Sequence, residues 1–296
     1  MNAKKAKTVR KLTASFFLFL ILRLVEELYI IPNLYDTMGL VSCIGGLLIL
    51  MVYIRLDNKP LEVIGMLFSK HKTKKGLLIA VVINAVPALI VYPLIYLSLR
   101  NQYPNLAIYY DKVANAYSVG GPKQFVMWAL LGLLISVAHA FFYEMAFRGL
   151  LLTLASKSFP FGAVNVMQAG LYTFWYLIPV LRILIYAGGT YRTKQIVILV
   201  LFLLVYEMVT ALKLGMLRRA TGSIWVCIFD HIAFTYIFDM LHIQHDSRTL
   251  GADYTSYIIM LAYQLIAMIL TAVYYKEKRA KIQDERRSNY LKQKKA

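Results

Sequence analysis

Glu144 and Arg148 stand four residues apart in "FFYEMAFRGLLLTL" (141–154), a stretch that is otherwise apolar. On a helix that spacing puts both on one face, with the glutamate N-terminal, the favourable order for an ion pair. An unpaired buried carboxylate can act as a general base, whereas a paired one joins helices. His139, Glu207, Asp230 and His231 also sit in apolar runs, and none has a partner at helical spacing. Ionisable residues in such runs face a bundle interior and by default suggest function. Arg23 and Glu27, again four apart and next to Glu26, are expected to staple the first helix. Lys213, near one end of its run, is expected to snorkel, and Asp239 lies near the end of another.

The elements that must position these residues follow from composition. The chain has 296 residues, of which 59% are hydrophobic, against about 45–50% in soluble domains. Eight apolar runs are long enough to span a bilayer as helices: about 11–32, 37–56, 76–99, 124–156, 160–180, 195–217, 222–242 and 254–275. They are continuous rather than alternating, which selects helices over a barrel. The expectation is an all-α polytopic membrane protein of eight transmembrane helices in one bundle. Residues 1–275 would form the membrane domain and 276–296 a basic cytoplasmic tail. The first run continues into "RLVEELYIIP" without a small-residue cleavage site, so it reads as a retained helix. The run 124–156 exceeds one perpendicular span and calls for tilt or continuation past the surface.

The net charge of +18 does not point to nucleic acid. Most lysines and arginines fall in alternate connecting segments (4–11, 55–75, 276–295), as the positive-inside rule requires if both termini are cytoplasmic. The tail would lie against anionic headgroups. Membrane lipid and another membrane protein are therefore the expected partners. Cys43 and Cys227 both lie inside apolar runs and suggest neither a disulfide framework nor a metal cluster. No cofactor is expected.

Three segments together resemble one family. "YEMAFRG" (143–149) is similar to the "EExxxRG" motif of the CAAX-protease and bacteriocin-processing (CPBP, or Abi) membrane proteins. "QAGLYTFWYL" (168–177) resembles their "FxxxH" helix, and "RRATGSIWVCIFDHIAFT" (218–235) their "TGS…HxxxN" helix. The resemblance spans about residues 124–240. It implies an intramembrane endopeptidase fold in which the first glutamate and two histidines activate water. The asparagine would help hold the oxyanion, and the second glutamate and arginine would form a supporting pair.

On those motifs the first glutamate's position is Tyr143 and the second is Glu144, followed by Arg148. The phenylalanine is Tyr172, and the first histidine's position is Tyr176. His231 is retained, and the asparagine's position is Thr235. A tyrosine, with a reference pKa of about 10, is a poor base at neutral pH. One inherited histidine falls short of the three protein ligands of catalytic zinc. The chain thus resembles a degenerate member, similar to lysostaphin-resistance-protein-A-like proteins, which by analogy implies cell-envelope work. The expectation is a non-catalytic protein that binds or positions a membrane protein or lipid-linked substrate. An active endopeptidase with a migrated site built from His139, Glu207 or Asp230 beside His231 is the alternative. A transporter or channel would call for a two-half repeat, and the sequence has none.

Overall fold

The computed structural model describes residues 3–33, 39–56, 61–66, 69–103, 105–110, 122–186, 193–245, 248–249 and 255–295. Eight helical segments occupy the places of the eight apolar runs. They are α1 (Ala3–Val25), α2 (Leu40–Leu56), α3 (Lys70–Leu99), α4 (Pro122–Tyr143), α5 (Phe161–Tyr186), α6 (Thr193–Thr221), α7 (Trp225–Met240) and α8 (Thr255–Lys295). Among the described residues, five helical stretches are long and apolar enough to cross a membrane: 70–99, 130–155, 161–186, 193–221 and 257–281. The helices α2 and α7 are apolar but shorter. Outward positions such as Leu78, Leu89, Leu134 and Ile269 are exposed, as lipid-facing side chains are.

Two helices change pitch without breaking. The helix α1 runs on through a π-helical stretch at Glu26–Ile30, and α4 through another at Glu144–Leu151 before its last turn, Leu152–Ala155. Wide turns of this kind insert a residue into the helical ladder and occur often at functional sites. Both stretches carry buried charged residues, and the α4 one is buried at every position.

Packing pairs α5 with α6, α6 with α8, α3 with α7, and α4 with α7. Asn165 and Gln168 of α5 donate to the Leu212 and Ala211 carbonyls of α6, at 3.1 and 2.9 Å. The turn between α6 and α7 explains "TGS" in local terms. Gly222, at φ +70°, adopts the left-handed conformation that ends a helix, and its N–H bonds the Arg218 carbonyl at 3.0 Å. Ser223 Oγ then accepts the Trp225 N–H at 3.3 Å, starting α7.

Three readings of the sequence need correction. A small antiparallel sheet, β1 (Ala107–Tyr110), β2 (Leu241–His245) and β3 (Arg248–Thr249), joins the segments that follow α3 and α7. Pairing satisfies backbone groups that leave both helices at the same end of the bundle. Lys213 does not snorkel: it is fully buried and ion-paired with Asp230 at 2.6 Å. Arg182, which composition leaves in a loop, lies within α5. Beyond residue 275, α8 continues as one helix to Lys295.

Candidate functional site

The π-helical stretch of α4 delivers Glu144 and Arg148 to the centre of the bundle, where both are fully buried. Arg148 Nη1 donates to Glu144 Oε1 at 3.1 Å. From α7, His231 Nδ1 reaches the same oxygen at 2.9 Å. One carboxylate oxygen thus contacts both Arg148 and His231, while Glu144 Oε2 has no hydrogen-bond partner. The Arg148 guanidinium lies 4.2 Å from the Tyr172 ring centroid, face-on. A desolvated cation over an aromatic face is worth about 2 kcal/mol, which offsets part of the cost of burying Arg148.

Around this cluster the tyrosines take up space. Tyr143, 2% exposed, packs between His139 and His231, each ring centroid 5.5 Å away. Phe234 continues the column 5.0 Å beyond His231. Tyr176 lies 5.5 Å from Tyr143 and 4.9 Å from Tyr172, and the Tyr172 hydroxyl donates to that of Tyr176 at 3.3 Å. Trp175, fully buried, closes the other side of Tyr143. On that side the Arg23 guanidinium lies 5.8 Å from the Trp175 ring centroid.

The structure brings Tyr143, Glu144, Arg148, Tyr176 and His231 into one cluster. Thr235 lies one turn beyond His231 on α7, half-buried. The other three residues differ among themselves. His139 stacks on Tyr143 on the side facing Gly39 and Arg23. Asp230 is committed elsewhere: Lys213 holds Oδ2, and the Asn84 carboxamide donates to Oδ1 at 3.0 Å. Tyr263 in turn donates to Asn84 Oδ1 at 2.8 Å. Glu207, 5% exposed, is close enough to Arg148, Tyr172 and Tyr176 to act on them electrostatically. The side chain of Asp239 lies outside the described residues.

Sequence reasoning missed the role of Tyr172 under Arg148 and the network of Lys213, Asp230, Asn84 and Tyr263. A signal for the second existed. Lys213 and Asp230 are nine residues before and eight after Gly222, so they stand at equal depth on adjoining antiparallel helices.

A second charged cluster sits on the π-helical stretch of α1. Arg23 Nη2 pairs with Glu27 Oε1 at 2.9 Å, and Arg182 Nε donates to Glu27 Oε2 at 2.9 Å. Glu26 accepts the Val41 and Ser42 backbone N–H groups, each at 2.9 Å. Those are first-turn donors of α2, which lack partners within their own helix. Among the described residues no group of three or more His, Cys, Asp or Glu side chains is placed to hold a metal ion.

Comparison with known proteins bears on the same segment. Residues 125–237 match the family model described as Type II CAAX prenyl endopeptidase Rce1-like. That stretch contains α4 to α7 nearly entire, together with every residue of the central cluster. No curated protein matches the chain.

Proposed function

We propose, from the premise that the 125–237 core belongs to the Rce1-like family of type II CAAX prenyl endopeptidases, that this chain is a non-catalytic member. It binds or positions another membrane protein or a lipid-linked substrate at the cell envelope. All eight helices lie in the cell membrane, with both termini on the cytoplasmic side. One observation carries the reading: Tyr143, at the position of the family's first glutamate, packs against His231 and Tyr176 where a carboxylate and its water would need room. Glu144 is no substitute, since one of its oxygens is already taken up by Arg148 and His231. Restoring the motif residues tests this. The triple variant Tyr143→Glu/Tyr176→His/Thr235→Asn is expected to gain hydrolysis of prenylated or transmembrane peptides in liposomes that the parent lacks. Equal hydrolysis by parent and triple variant would sink the proposal.

Glu207 favours a second reading, an endopeptidase with a rearranged site. It is a buried carboxylate beside Arg148, Tyr172 and Tyr176. On that reading hydrolysis by the parent chain is lost in Glu207→Gln.

A further inference from the structure

At the end of the bundle where α3 begins, a cavity of about 190 Å³ opens among α3, the turn joining α6 to α7, and α8. At about 30 Å³ per water, it has room for a phosphate group. His71, Lys72 and Lys75 line it from α3, Lys278 from α8, and the hydroxyl residues Thr221 and Ser223 from the turn. Among the described residues no carboxylate lines it. Among the described residues no ion pair engages Lys72, Lys75 or Lys278. The backbone adds positive potential of its own. Gly76 brings α3 close to α7, so near that a Cβ there would stand 3.1 Å from the Val226 N–H in the first turn of α7. The N-terminal turns of α3 and α7 therefore both adjoin the cavity, and such turns favour anions. Three lysines on a solvated face would be ordinary. Here they converge from two helices on one open pocket that also has the Ser223 hydroxyl and two helix N-termini.

The depth of the cavity narrows the ligand. The apolar stretches of α3 and α8 run 70–99 and 257–281, and the lining lysines belong to the ends of those stretches. That places them at headgroup level rather than in the hydrocarbon. We propose that this cavity is a binding site for a phosphate ester anion, separate from the Glu144–Arg148–His231 cluster and independent of whether that cluster is catalytic. The phosphate would contact Lys72, Lys75 and Lys278, with the Ser223 hydroxyl donating from the turn; Thr221 Oγ1 already donates to the Leu217 carbonyl at 2.8 Å.

Native mass spectrometry of the full chain in detergent tests this, with phosphatidylglycerol and phosphatidylcholine as probes. Phosphatidylglycerol is expected to be retained preferentially. Lys75→Gln/Lys278→Gln should weaken its retention about 30-fold, at roughly a factor of five per headgroup-level lysine. Lys70→Gln/Lys74→Gln removes the same charge from the shallow groove on the other side of α3 and should change retention less than about threefold. Displacement of phosphatidylglycerol by millimolar glycerol 3-phosphate supports the site and identifies a soluble phosphate ester as a ligand. Retention against that competitor supports the site and assigns it to membrane lipid. Equal retention of the two lipids, or equal losses in the two double variants, overturns the proposal and leaves a solvated basic face.

Discussion

Each of the two π-helical stretches among the described residues opens on a buried glutamate, and each treats its carboxylates differently. At Glu26–Ile30 every carboxylate oxygen is engaged: Glu26 holds two amides of α2, and Glu27 holds two guanidiniums. At Glu144–Leu151 one oxygen of Glu144 bears Arg148 and His231 together, and the other has no hydrogen-bond partner. A buried polar atom left without a partner costs about 1–3 kcal/mol. The first cluster is thus built as a joint between α1, α2 and α5. The second keeps one carboxylate oxygen without a hydrogen-bond partner inside a cage of aromatic rings. Both lie along one aromatic path: the Arg23 guanidinium lies over the Trp175 ring, and Trp175 and His231 both pack on Tyr143.

Variants can break or sharpen this contrast. The largest effect is expected from Glu27→Leu, which leaves Arg23 and Arg182 facing one another without a shared carboxylate. Breaking a buried pair from one side costs about 3–5 kcal/mol, and thermal unfolding in detergent would register it. Next comes Glu26→Ala, which strips the first amides of α2 of their acceptor and should cost about 2 kcal/mol in the same measurement. The double variant Glu144→Leu/Arg148→Leu removes both partners of the second pair. It should stay within about 1–2 kcal/mol of the parent, because apolar replacement of a whole buried pair is often neutral. A loss comparable to that of Glu27→Leu would erase the distinction between the clusters. Smallest is Tyr172→Phe, which keeps the ring beneath Arg148 and loses only the 3.3 Å bond to Tyr176. It should cost about 0.5–1.5 kcal/mol.

Much of this architecture was legible because local spacing encodes it. Each apolar run became a helix, and Arg23–Glu27 and Glu144–Arg148 paired as their four-residue spacing requires. What was not legible depends on partners brought together through space. Lys213 finds Asp230 across a helix hairpin, and Glu26 caps a helix other than its own. Residues 107–110 pair with a strand more than 130 residues away. Nor does periodicity announce a π-helical stretch, since one inserted residue only shifts the phase of an already continuous apolar run. Arg182 misled for a related reason: a single charge made the end of α5 look like a loop, although Glu27 on α1 was there to receive it.

Hydrolysis of a transmembrane or prenylated peptide by the parent chain in liposomes, compared with His231→Ala and Glu207→Gln, tests the central claim most directly. A non-catalytic bundle predicts the same background rate from all three. Cleavage by the parent chain that disappears in either variant would contradict it.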